Sequence, residues 1–176
     1  ATPAEIMDKR TAGNEFFIED YITTSTGCAV DSNRVYLIPR SASLRSVTPV
    51  TKLVSGGIPL DRSREPTIQE FSRKDHILDR PLTEKEALEH KLWLSLADND
   101  QDRHARYVEK MFRLGKDRFG YNKMLGLYVT KDKSPIVRGL ILDRLEGGFG
   151  ADGVRYLDNY DARLFGVRRD EVAPKN

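Results

Sequence analysis

The sequence predicts a mainly α-helical protein: a small bundle of short helices preceded by a long extended, largely irregular N-terminal arm. Three observations carry that expectation. Residues 82–115 hold the most sustained helical period in the chain. Helix-opening signals of the Thr-Pro, Ser-Pro and Thr-x-x-Glu kind recur ahead of apolar stretches. Residues 23–80 are rich in Ser, Thr, Gly and Pro, and no helical period there outlasts two turns. The expected division is a helical segment over 1–22, an arm over 23–81, a helical domain over 82–165 and a tail over 166–176.

At the amino end, Thr2, Pro3 and Glu5 spell a helix start, with Thr as N-cap, Pro at the first helical position and Glu closing a capping box. The helix is expected to end near Gly13, and a second short helix to begin at Asn14 and bury Phe16, Phe17 and Tyr21. Within the arm, Arg34 to Pro39 has the β-branched and aromatic content of a short strand, which Pro39 confines to an edge. Pro66, Ile68 and Phe71 suggest a turn or two of helix. In the centre, Thr83 and Glu86 form a second capping box. Leu88, Leu92 and Leu96 then recur at helical spacing, widened by Trp93 and Ala97. After an acidic turn, Ala105, Val108, Met111 and Phe112 stripe the next helix, with Gly115 as its expected C-cap. Tyr121, Met124, Leu125 and Tyr128 follow a helical spacing. Ser134 and Pro135 open a helix bearing Ile136, Val137, Leu140, Ile141 and Leu145, and a last helix is expected over 154–165.

Of 176 residues, 39% are apolar and 32% charged, so a thin core is expected. Basic and acidic side chains, 29 against 27, nearly cancel, which argues against a polyanion-binding field over the whole surface. No apolar run approaches a membrane span, so no membrane insertion is expected. The lone Cys28 cannot form an internal disulfide. These features fit a soluble protein of a reducing compartment, whether cytoplasm or organelle interior.

Two motifs imitate known chemistry. Gly148, Gly150 and Gly153 match G-x-G-x-x-G, but a dinucleotide site needs a strand before them and a helix after, and the expected neighbour is the helix from Ser134. Asp98, Asp100, Asp102 and Glu109 stand at calcium-loop spacing, but Arg103 occupies the position that calls for Gly, and the acids suit a helix N-terminus. His76, His90 and His104 show no metal spacing and are expected on solvated faces. With no nucleophile elbow, phosphate loop or C-x-x-C, the chain is not expected to be an enzyme, and neither cofactor nor metal is expected.

Cys28 lies among small and polar residues that suggest exposure, with Asp31 three positions on. This Cys-x-x-Asp pair resembles the attachment motif of phycobiliproteins, with Val30 where those proteins usually carry Arg. The resemblance covers four residues and implies, as an alternative, a carrier with a linear tetrapyrrole on Cys28 and the acid of Asp31 at the pyrrole nitrogens. The apolar residues of the arm lead elsewhere: they need cover, and the expected function is a non-catalytic scaffold or linker subunit docking into a large multiprotein complex. Tyr36, Leu37 and Ile38 are its expected anchors, with Arg40 and Arg45 as orienting charges. A third class is an RNA-associated subunit, from the basic bias of Arg34, Arg40, Arg45, Arg62, Arg64, Arg73 and Lys74. The mixed signs of that stretch favour protein over nucleic acid.

Overall fold

The structure, a computed structural model, describes residues 1–47, 52–130 and 132–154. The expectation of a mainly α-helical bundle with an irregular arm is overturned, because the chain is built on a mixed β-sheet that curls into a half-barrel. Its strands are β1 (Ile22–Val30), β2 (Arg34–Ile38), β3 (Ile58–Pro59), β4 (Gln69–Ser72), β5 (Leu127–Tyr128), β6 (Ile136–Leu142) and β7 (Ala151–Asp152). They lie in the order β4-β2-β1-β6-β7-β5, with β3 also paired to β6. All pairs are antiparallel except β5 with β7. The supposed arm thus supplies the centre and one edge of the sheet. The expected last helix, over 154–165, falls outside the described residues save Val154.

Alternation of side chains explains how the arm shelters its own apolar residues. Along β2, Val35 and Leu37 enter the main core, while Tyr36 and Ile38 enter a second cluster with Ala29 and Val137. Leu44, Leu60 and Ile68, all from the supposed arm, cover that second cluster. The sheet therefore has apolar contacts on both faces, and β2 reads as an unbroken apolar run instead of an alternating one. β6 is likewise buried along all seven residues, with the charged Arg138 inside an otherwise apolar run. Ser134-Pro135 resembles a helix start, but the Ile136–Leu142 stretch after it carries three β-branched side chains, Ile136, Val137 and Ile141, and lies between β1 and β7. The expected helix around 121–128 is likewise absent: Met124 bridges to Leu82, and Leu127 and Tyr128 form β5.

The helical signals were sound where a capping box marked them. Helix α1 (Pro3–Thr11) has the Thr2/Glu5 capping box with Pro at its first turn, and α2 (Glu15–Glu19) follows. After the short α3 (Ala42–Arg45) come α4 (Glu84–Leu88), α5 (Lys91–Leu96) and α6 (Gln101–Phe119). The Thr83/Glu86 box opens α4, and Asp100 caps α6 by accepting from the Arg103 N–H at 2.9 Å. The expected long helix before the acidic turn is two short ones broken at Glu89 and His90. Gly115 is not the C-cap. It lies inside α6, where a Cβ would come within 2.2 Å of the Met124 sulfur, so its missing side chain serves close packing. The left-handed cap is Gly120, at φ +70°.

The core is not thin. Helices α1, α5 and α6 press Ile6, Met7, Leu92, Trp93, Tyr107, Val108 and Met111 against Ile22, Val30, Leu140 and Leu142 of the sheet.

Candidate functional site

The site grows from an irregularity in β1. Its register against β6 shifts between Thr23 and Gly27, a bulge in which the Thr24 hydroxyl accepts from the Thr26 N–H at 3.1 Å. The Ser25 N–H is released from the ladder to the Ala1 carbonyl at 2.8 Å, and the Ser25 carbonyl accepts from Ser41 at 3.0 Å. The bulge draws Thr2 and Pro3, Thr26, and the end of β2 around one concavity of about 370 Å³. Leu37, Pro39, Arg40 and Arg45 line it from β2 and α3. Pro66, Thr67 and Gln69 line it from the approach to β4, and Ser95, Leu96 and Asp98 from α5 and the turn after it.

The wall that carries the two arginines is held from behind. Glu65 is buried, and its carboxylate accepts from the Ser41 hydroxyl at 2.9 Å and from the Ala42 and Ser43 amides at 2.8 and 3.0 Å. Burial pushes its carboxyl up, but hydrogen bonds from Ser43, Ala42 and Ser41 outweigh burial and hold it below the usual carboxylate range. One Arg45 donor reaches the Arg40 carbonyl at 2.8 Å. Across the cleft, the Ser95 hydroxyl bonds to the Gln69 amide oxygen and ties α5 to β4. Arg40 and Asp98 both take left-handed backbone, φ +52° and +59°, a conformation that costs a residue with a Cβ roughly 1–3 kcal/mol and clusters at ligand sites. Arg40, Arg45 and Asp98 are exposed, and none forms an ion pair among the described residues.

Of the residues expected to anchor a partner, Leu37, Arg40 and Arg45 meet at this cleft. Tyr36 and Ile38 do not, since they pack in the cluster on the other side of the sheet. Cys28 is buried in β1, opposite Arg138 of β6, and burial pushes its thiol up to about 12. The exposure its neighbours suggested is therefore not found. Asp31 is a turn builder: its carboxylate accepts from the Asn33 and Arg34 amides, both at 2.8 Å, and from the Tyr36 hydroxyl at 2.6 Å. The Tyr36 bond is the main cause holding the Asp31 carboxyl low. Thr26, Gln69 and Ser95 went unnoticed in the sequence. They come from three separate elements, and no local spacing links them.

The two imitative motifs resolve locally. Gly148 caps a 3-10 turn at φ +73°, and the chain continues into β7 instead of opening a helix, although β6 does precede it. Asp102 and Glu109 lie within α6, so no twelve-residue calcium loop forms there. No group of three or more potential metal-holding side chains occurs among the described residues. Several basic residues counted toward RNA are paired, Arg34 and Arg62 with Glu70 and Arg73 with Asp79.

The histidines depart from expectation, because His90 and His104 are buried and His76 half-buried. The His90 Nε2 meets the Ile77 carbonyl at 2.9 Å, so Nε2 carries the proton and the buried Nδ1 has no hydrogen-bond partner. Burial lowers the pKa of His90 most, and the neighbouring His76 and His104 lower it further against the Ile77 bond and Glu86. His104 is lowered by burial against a bond to the Ala87 backbone. Both folded values lie below the ordinary 6.5, so as pH falls through that value the unfolded chain takes up protons that the folded one refuses. Stability is expected to fall from pH 7.5 to 5.5. Denaturant midpoints across that range measure the fall, and its slope is expected to be shallower in His90→Asn.

No protein-family model matches the sequence, and no curated protein matches it. The fold itself is of the C-type lectin type. A solved structure described as "Accommodation of massive sequence variation in Nanoarchaeota by the C-type lectin fold" superposes with a TM-score of 0.68 at 18% identity, covering 95% of this chain and 86% of that one. With that fold and its self-covered sheet, the expected scaffold or linker subunit docking through an extended arm is set aside. The segment meant to dock is the middle of the domain. Among the described residues no helix is long and apolar enough to cross a membrane.

Proposed function

We propose that the protein is a non-catalytic recognition domain that holds a small polar ligand in the cleft between β2, the approach to β4 and the α5–α6 turn. The observation that carries this reading is the meeting of Arg40, Arg45 and Asp98, exposed and without ion-pair partners among the described residues, on one concavity. Its volume suits a small ligand, and its lining is as polar as it is apolar, which suits a polar ligand. Binding without chemistry is favoured because, among the described residues, the lining has no His, Cys or Lys to serve as a general base or an activated nucleophile. No cofactor is needed for such a role. The related fold is described as accommodating massive sequence variation, which suits recognition residues that change while the core persists.

Backbone amide shifts of Thr26, Gln69 and Ser95, followed while small charged and uncharged compounds are added, test the reading. A binder is expected to move these three together. Arg45→Ala should weaken it about tenfold, the loss of one charge-assisted hydrogen bond, with an unchanged melting temperature because the side chain is exposed. The reading fails if binders shift residues elsewhere and leave these three still, or if R45A binds as the parent does.

A further inference from the structure

The charges of the cleft specify more than its shape. Two guanidinium groups, Arg40 and Arg45, share it with one carboxylate, Asp98, which comes from a different element. A guanidinium fork matches a carboxylate in two parallel hydrogen bonds, whereas an exposed aspartate matches an ammonium. A simple anion would complement the arginines and be repelled by Asp98. A cation would do the reverse, and a neutral polyol would leave all three charges unmatched. Arg103 acts on Asp98 from beyond ion-pair distance, and a ligand with two negative groups and one positive group gives each of the three lining charges an opposite in direct contact.

Resting on the recognition reading above, we propose that the ligand is a free dicarboxylic α-amino acid of the glutamate or aspartate type. Its two carboxylates take Arg40 and Arg45, and its ammonium takes Asp98. Leu37 and Leu96 cover the methylenes, and the Ser95 hydroxyl lies beside the polar groups. The Glu65 cap fixes the start of α3 between Arg40 and Arg45, and the Arg45 bond to the Arg40 carbonyl ties the two residues together.

The test removes one ligand charge at a time. Titration calorimetry on the full chain with L-glutamate, L-aspartate, L-glutamine and glutarate is expected to show the two acidic amino acids binding about tenfold or more tightly than either of the others. Glutamine lacks the second carboxylate and glutarate lacks the ammonium. Asp98→Asn keeps a residue that tolerates positive φ and is expected to abolish the preference for glutamate over glutarate while leaving the preference over glutamine. R45A is expected to do the converse. Thermal melts of both variants confirm that they fold. The proposal is overturned if glutarate or glutamine binds as tightly as glutamate, if either preference survives its variant, or if none of the four binds. If a ligand of another charge class moves Thr26, Gln69 and Ser95, this proposal falls and the recognition reading stands. If no compound moves them, both fall.

Discussion

Replacing Arg10 with leucine is expected to cost about 3–5 kcal/mol of folding stability, because it strands several buried acceptors that the guanidinium satisfies, each at about 1–3 kcal/mol and partly relieved by relaxation. The guanidinium joins four separate parts of the chain. Its Nε donates to the Phe17 carbonyl of α2 at 2.7 Å, and Nη1 donates to the Tyr107 hydroxyl of α6 at 3.1 Å. Nη2 donates to the Asp143 and Leu142 carbonyls, at 2.7 and 3.3 Å, where β6 ends. The Phe149 ring lies 5.0 Å from its central carbon. Leucine would fill much of the volume and satisfy none of those acceptors, each of which then bears its own desolvation cost. Arg10→Lys is expected to recover only part, since one ammonium cannot span positions that a planar fork reaches together. Urea titration followed by circular dichroism measures both. A midpoint for Arg10→Leu within about 1 kcal/mol of the parent would show that the network contributes little. Because natural domains are stable by roughly 5–15 kcal/mol, the loss expected here would leave the variant near the edge of folding.

The second large effect is expected at Trp93. This side chain is fully buried between α6 and the loop before β5, close to the Tyr107 ring at 6.1 Å, and its indole N–H donates to the Leu125 carbonyl at 2.7 Å. Leu125 has left-handed backbone at φ +52°, unfavourable for a bulky side chain. It is held by that bond and by its own N–H to the Gly148 carbonyl at 2.8 Å. Trp93→Ala is expected to cost about 3–5 kcal/mol from lost packing and the cavity left behind. Trp93→Phe keeps most of the apolar area and strands the Leu125 carbonyl, so a loss of about 1–3 kcal/mol is expected from that acceptor alone. Denaturant unfolding of the two variants separates packing from hydrogen bonding. Equal losses would assign the whole effect to the hydrogen bond.

Much of the helical part was legible because capping is local. Thr2 with Glu5, Thr83 with Glu86 and Asp100 with Arg103 act within one turn, and each lies where the residue types place it. The stripe of α6 was equally plain, since one face of a helix meets the core while the other meets water. The break at His90 was not, because it depends on the Ile77 carbonyl thirteen residues earlier. Leu88, counted into the apolar stripe, ends α4 just before that break and is exposed.

Residue order alone determined where α1, α4 and α6 begin, and that the chain carries no long apolar span. Tertiary structure decided the rest: that the apolar run after Ser134 is a strand, that the supposed arm shelters itself, and that Arg40 and Arg45 share a cleft with Asp98. The reason is the range of the forces. A cap or a turn is satisfied within three or four residues, so its signal stays in the local spelling. A strand buried on both faces loses its period-two signature, and its hydrogen bonds lie on neighbours such as β1 and β6, more than a hundred residues apart. A binding cleft goes further still, since its residues share no period and meet only once those strands have paired.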